Sequence, residues 1–165
     1  MADGPVNDAP YRLIADVEFG ENVVVQAFTN LYGCKIGDNT RIGPFVEIQR
    51  GAVIGANCKI QSHSFICDSV AIEDEVFVGH GVVFINDKYP CATNAEGELQ
   101  SEGDWELLTT VVESGASLGS GAVIMGGVRI GAGAMVGAGA TVIRDVRAHE
   151  TVTGAPAQAL NREDL

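Results

Sequence analysis

Two of the three histidines in this 165-residue chain, His63 and His80, lie in its middle, and the third, His149, is near the end. An imidazole titrates near neutrality, so either central one can take or give a proton at working pH. Six residues past His80 comes the polar run Asn86-Asp87-Lys88-Tyr89, which offers a carboxamide, a carboxylate, an ammonium and a phenol in one short stretch. The only tryptophan, Trp105, follows between Asp104 and Glu106. Such a set can move protons, donate to an oxyanion and hold a polar ligand. Whether it acts together depends on what brings it together.

The surrounding sequence repeats every six residues. Large apolar residues fall at Ile36, Ile42, Ile48, Ile54, Ile60, Ile66, Ile72, Val78 and Phe84, then again at Val112, Leu118, Ile124, Ile130, Val136 and Val142. All fifteen hexads carry one at the first position, where chance would supply one less than about half the time. A period of six fits neither a helix nor an alternating hairpin sheet. The fifth position is small or β-branched in all but one hexad, as at Thr40, Ala52, Cys58 and Ala116. It lies two residues before the next first position, so both share one face of an extended chain. The fourth position is Gly, Asn or Asp in eleven of fifteen hexads, the residues that reach φ > 0 at least cost. Each hexad is therefore a short strand plus a bend, and three hexads close a triangle. The sequence predicts a parallel β-helix with strands stacked about 4.8 Å apart. Grouping the first positions from Phe19 to Val142 gives six coils.

On this count Ser62-His63 and His80-Gly81 occupy the same corner of the prism on consecutive coils, and Asn86-Asp87 falls at the next corner round. Those corners point apart within one chain, so His80 and Asn86 can converge only across an interface between chains. Residues 90–111 interrupt the repeat after a third face and rejoin it on a first face. An excursion of that length from a regular scaffold suggests a lid or a wall against a neighbouring subunit.

Composition fits one domain: a 1–16 extension, a β-helix over 17–156 with the 90–111 loop extruded, and a 157–165 tail expected to form a short capping helix. The net charge of −12 argues against nucleic acid and anionic membranes as partners, because no basic patch is present to displace counterions. Residues 1–10 have neither a basic start nor an apolar run, so no signal peptide is expected. No apolar run nears the length of a membrane span. Cys34, Cys58, Cys67 and Cys91 show no paired spacing, which suggests packing thiols in a reduced, cytoplasmic protein.

The hexads resemble those of the left-handed β-helix acyltransferases. Within them, IQSHSFI (60–66), EVFVGHGVVFINDKYP (75–90), GDWELL (103–108), GASLGSGAVIMGGVRIGAGAMVGAGA (115–140) and GAPA (154–157) are similar to the N-acetyltransferases of nucleotide-linked amino sugars. That subgroup includes the UDP-2-acetamido-3-amino-glucuronate and dTDP-3-amino-3,6-dideoxyhexose N-acetyltransferases. Left-handed coiling, which departs from the usual crossover preference, is implied by the resemblance alone. So are a homotrimer with acetyl-CoA in clefts between prisms, and a role in surface-glycan (O-antigen type) synthesis. Where the family often has Arg, this chain has Lys88 and Cys91, and where it often has Asn, this chain has Ala155.

The chemistry so implied is amide formation. Asn86 and His80 would serve the reaction, Asn86 by orienting the amine or donating to the oxyanion and His80 by taking the proton, with Asp87 binding a sugar hydroxyl or fixing the loop root. The departing CoA thiolate is the alternative proton acceptor. His63, Lys88, Tyr89 and Trp105 are the substrate-binding set. Acetyl-CoA would lie along Gly119, Gly121, Gly137 and Ala138 and the turn Ala155, Pro156 and Ala157, with Arg129, Arg144 and Arg147 available to its phosphates. No metal is expected: a zinc carbonic-anhydrase site of the β-helix kind needs two imidazoles five residues apart, and the positions five after His63 and His80 are Asp68 and Ile85. That site and a non-catalytic scaffold are the alternative readings.

Overall fold

The computed structural model describes residues 11–101 and 103–160. Among these it contains only strands, turns and loops, and no helix long and apolar enough to cross a membrane. Each face of a hexad is a strand of two or three residues. In Arg41–Ile42 the arginine is exposed and the isoleucine buried, and Lys59–Ile60 above it repeats the pattern. At the fourth hexad position φ is positive in thirteen of fifteen cases. Phe45, His63, Ser69 and Glu75 adopt φ of 58–63° there although none is Gly, Asn or Asp. Asp87 and Asp145 are the two that do not, so the coil geometry, more than the residue type, sets the corner.

Three sheets of seven, six and eight strands result, built from every third strand of the chain except that the eight-stranded sheet ends in the two consecutive strands Thr151–Thr153 and Gln158–Ala159. Apart from the last strand, neighbours are parallel and in register, as in Ile42↔Ile60 and Ile60↔Val78. Inward residues therefore stack into a column: Ile36, Ile54, Ile72, Val112 and Ile130 are each no more than 2% exposed. The column is longer than the six coils expected. Leu13–Ala15 pairs with Asn30–Tyr32 ahead of Phe19, and Thr151–Thr153 adds a strand beyond Val142.

The expected capping helix is absent from the described part of the tail. Gly154 takes φ 90° and the chain turns back, so that Gln158–Ala159 pairs antiparallel with Thr151–Thr153. An exposed last strand offers unpaired backbone groups, and a returning strand satisfies them as a helix lying across the end does not. Residues 161–165, and the first ten of the N-terminal extension, lie outside the described residues.

The excursion leaves after Val83–Phe84 and returns at Thr110–Val112, which pairs Val70↔Thr110 and Ile72↔Val112. The second sheet thus runs on unbroken beneath the loop.

Close stacking places a demand at the second hexad position. A Cβ at Gly119 would lie 2.6 Å from the Gly137 carbonyl carbon, and one at Gly79 2.6 Å from Ser120 N. Gly121, by contrast, has φ 71° and open space beside it. Gly119→Ala should therefore cost about 3 kcal/mol as the coils are forced apart. Gly121→Ala should cost about 1 kcal/mol, the left-handed penalty alone. Urea unfolding of both variants checks the ordering.

Candidate active site

The edge between the third and first sheets carries both central histidines. Its fourth-position residues in successive coils include Phe28, Phe45, His63, Gly81, Gly121 and Gly139, all with positive φ, as has Tyr11 before them. The first four rings form an external stack: Tyr11–Phe28 at 5.3 Å, Phe28–Phe45 at 4.9 Å and Phe45–His63 at 4.9 Å. The stack stops at His63 because the next rung is Gly81. His63 is thus a corner residue and a rung of a ladder whose pairs contribute about 0.5–1.5 kcal/mol each.

One position earlier on the same edge, Ser62 Oγ lies 2.8 Å from His80 Nδ1. The His80 N–H donates to Ser120 Oγ at 3.2 Å, and the His80 carbonyl accepts from Gly121 N–H at 2.8 Å. His80 is exposed but held from the coil on either side. Sequence reading did not assign Ser62 or Ser120 a role; Ser120 lies forty residues from His80 because the loop intervenes.

The loop root occupies the edge between the first and second sheets. It rests on a glycine corner: a Cβ at Gly126 would come 3.2 Å from Asn86 Cα, and one at Gly127 3.7 Å from Lys88 Nζ. Asp87 accepts the Tyr89 N–H at 2.8 Å, which fixes the root. A cavity of about 440 Å³ opens there, and Asp87, Lys88, Tyr89 and Trp105 all line it. Gln100 and Leu108 line it too; neither stood out in the sequence because the loop has no repeat to place them. Asp104, also on its wall, accepts the Ser101 N–H at 2.7 Å, and this bond holds its carboxyl below the usual range. Within one chain, the cavity and His80 belong to different edges, and among the described residues the hydrogen-bond and ring partners of His63 and His80 are Phe45, Ser62, Ser120 and backbone groups, not Asn86.

At the C-terminal end the three arginines differ. Arg129 pairs with Glu113 at 2.7 Å and Arg147 with Glu150 at 3.0 Å, and each glutamate is held below its ordinary pKa first by that arginine's hydrogen bond. Arg144 donates to neutral oxygens, Gln158 Oε1 at 2.7 Å and the Ala157 carbonyl at 3.4 Å. It lines a hollow of about 300 Å³ with Ala157 and Gln158. Gly119 and Gly137 are accounted for by the coil above. Gly121, Ala138, Ala155 and Pro156 are exposed, whereas Ala157 is 5% exposed and packs into the core. Among the described residues no three His, Cys, Asp or Glu side chains come together as a metal-binding group.

The model of the family described as bacterial transferase hexapeptide (six repeats) matches residues 16–50, 33–68 and 109–144, together more than half of the chain. The bifunctional protein GlmU of Picosynechococcus sp. is 32% identical over 77 residues, and that of Nitrosospira multiformis 30% identical over 120. These alignments cover 46% and 69% of this chain but only 17% and 25% of theirs, so the chain spans a quarter or less of the length of these relatives. A mutant of AntD, an N-acyltransferase from Bacillus cereus solved with dTDP and coenzyme A, superposes with a TM-score of 0.75 at 17% identity, covering 89% of this chain and 86% of that one. A hexapeptide-repeat acetyltransferase of Vibrio cholerae, complexed with acetyl coenzyme A, gives 0.66 at 24% identity, over 78% and 70%. At these identities the likeness concerns the fold.

Burial pushes the Cys34 and Cys67 thiols up to about 11 and raises that of Cys58, while Cys91 is exposed on the loop. A thiol held in the protonated form is a poor nucleophile. Ellman's reagent on the native protein should therefore titrate one fast thiol per chain, lost in Cys91→Ser, with the other three reacting only after denaturation.

Proposed function

The chain belongs to the bacterial transferase hexapeptide family, and from that premise we propose that it is an acetyl-CoA-dependent N-acetyltransferase acting on a nucleotide-linked amino sugar. A dTDP- or UDP-linked 3-amino sugar is the substrate class, and cytoplasmic synthesis of a cell-surface polysaccharide is the setting. The observation that carries the reading is the loop-root cavity. It gathers an aromatic wall, Tyr89 and Trp105, with an ammonium, Lys88, beside Asn86 on a hexapeptide scaffold. An indole and a phenol suit a nucleobase or sugar face, and a lysine suits a phosphate.

In this mechanism the neutral amine attacks the thioester carbonyl, the C–N bond forms, the C–S bond breaks and the CoA thiolate leaves. Asn86 orients the amine or donates to the oxyanion, and His80 takes the proton that nitrogen must lose. Asp87 keeps the loop root in place, and the free face of His63 borders the substrate. Because His80 and Asn86 lie on different edges, a homotrimer is part of the proposal, with one prism's histidine corner meeting its neighbour's loop root. Acetyl-CoA supplies the activated acyl group. The exposed corners at Gly121 and Gly139, with Ala138, Ala155 and Pro156, leave backbone groups open to its pantetheine arm. Arg144 forms no salt bridge among the described residues and meets Glu150 only through its longer-range field, which leaves it freer for a CoA phosphate than Arg129 or Arg147.

The test is a screen of dTDP- and UDP-linked 3-amino and 4-amino sugars with acetyl-CoA, in the Cys91→Ser background, following thiol release. With the substrate found, Asn86→Ala should lower kcat by about 100-fold and leave Tm within about 2 °C, as for a surface change of a few tenths of a kcal/mol. Full activity in that variant sinks the assignment. Arg144→Gln should raise KM for acetyl-CoA about tenfold, as loss of one charge-assisted hydrogen bond does, with kcat unchanged. An unaltered KM would remove Arg144 from the cofactor site.

A further inference from the structure

His80 is the one histidine of the three whose ring nitrogen is hydrogen-bonded to another described side chain. His63 is stacked on Phe45 and His149 follows the last hexad, and among the described residues neither has a ring-nitrogen bond. At 2.8 Å from Ser62 Oγ, His80 Nδ1 is engaged from the coil below, and its Nε2 has no partner among the described residues. The groups in hydrogen-bond contact with His80, Ser62, Ser120 and the Gly121 N–H, are all uncharged.

A histidine can act as a base at Nε2 only if its remaining proton sits on Nδ1, and which nitrogen holds it is set by the bond the other makes. A serine oxygen can accept from Nδ1–H while its own proton turns to solvent, because a hydroxyl has two lone pairs and rotates freely. Ser62 is half-buried, and its carbonyl is tied to the same coil as His80 by the Gly81 N–H at 2.9 Å.

We infer that Ser62 is a positioning residue for His80: its hydroxyl accepts the Nδ1–H bond and leaves Nε2 bare to take the proton from the attacking amine. The proton passes from the adduct nitrogen to Nε2 as the C–S bond breaks, giving an imidazolium whose Nδ1–H still bonds Ser62. It then leaves to the thiolate or to solvent. The catalytic half of this inference rests on the acetyltransferase reading, whereas the tautomer does not.

Long-range ¹H–¹⁵N correlation spectra of ¹⁵N-labelled protein, recorded above the histidine titration and assigned with His80→Gln, read the tautomer directly. The expected result is a protonated Nδ1 and a bare Nε2 for His80 in the wild type and in Ser62→Thr, reverting to Nε2–H in Ser62→Ala. A wild-type ring protonated at Nε2, or a Ser62→Ala ring unchanged from wild type, overturns the inference whether or not the protein acetylates sugars. In turnover, Ser62→Ala should lose 10- to 100-fold in kcat, part of what general-base catalysis supplies. Its KM for acetyl-CoA should stay within twofold and Ser62→Thr should recover most of the rate. A changed tautomer with unchanged kcat removes Ser62 from catalysis. The expected tautomers with no amino sugar acetylated would uphold the positioning and count against the acetyltransferase reading instead.

Discussion

Every feature of this molecule follows from one constraint: each coil must lie directly on the last, about 4.8 Å away, with parallel backbone hydrogen bonds on three sides at once. The bonds run from coil to coil at every face, as in Gly37 N–H to Ile54 O, Gly55 N–H to Ile72 O and Glu73 N–H to Val112 O along one sheet. Where the backbone of the next coil comes closest, at Gly37, Gly55, Gly79 and Gly119, an added Cβ would run into it, and glycine is the residue present. Nor can the core vary much in width. A small fifth-position residue beside a large first-position one fills each layer of the triangle, and this keeps Ile124 and Ala122 equally inaccessible.

The same constraint decides where chemistry can be placed. Inward positions are spent on packing and outward strand positions form flat ladders, so only corners present side chains at an angle to one another. Each corner side chain has a counterpart one coil above and below. This produces the ring stack from Tyr11 to His63 and the Ser62–His80–Ser120 connection on one edge. A corner is also the one place where chain can be inserted without disturbing register. The loop uses this, leaving after Phe84 and returning to pair Ile72↔Val112 as if uninterrupted. A cavity built at the loop root is therefore anchored on a rigid column although the loop itself is irregular.

The hexad rhythm made the column legible because packing requires a large residue at every first position, and fifteen of fifteen supply one. The edge assignment of His63 and His80 came from the same count. The ring stack did not show itself because its members are 17, 17 and 18 residues apart. Shortened hexads near the N-terminus break the period there, and stacking is visible only once coils are superposed. At the second positions Gly119 and Gly137 the next coil alone already requires glycine, a packing demand that the residue type by itself does not distinguish from a ligand's approach. The tail misled for a different reason. Its few residues carry no pattern of their own, and what they become is dictated by the unpaired edge of Thr151–Thr153.

Electrostatics narrows the choice of binding groups. Nucleotide sugars and CoA are polyanions, and this chain carries a net charge of −12, so its long-range field opposes them. That field is screened over about 8 Å at physiological ionic strength, and what remains is decided by the nearest cations. Arg129 and Arg147 are committed to Glu113 and Glu150, and Lys35 to Glu18. Each pair cancels locally and offers little to a phosphate. Among the described residues Lys88 at the loop root and Arg144 at the C-terminal hollow form no salt bridge, and both line cavities, Lys88 with Asp87, Asp104 and Glu106 and Arg144 with Asp145 and Glu150. Both cations lie on the edge between the first and second sheets, two coils apart. Between them lies the Gly126–Gly127 corner, and at each end the cation shares its cavity with carboxylates. In the proposed reading, these two cations are the ones placed at the loop root and the C-terminal hollow, and local charge there has to work against the acidic remainder of the chain.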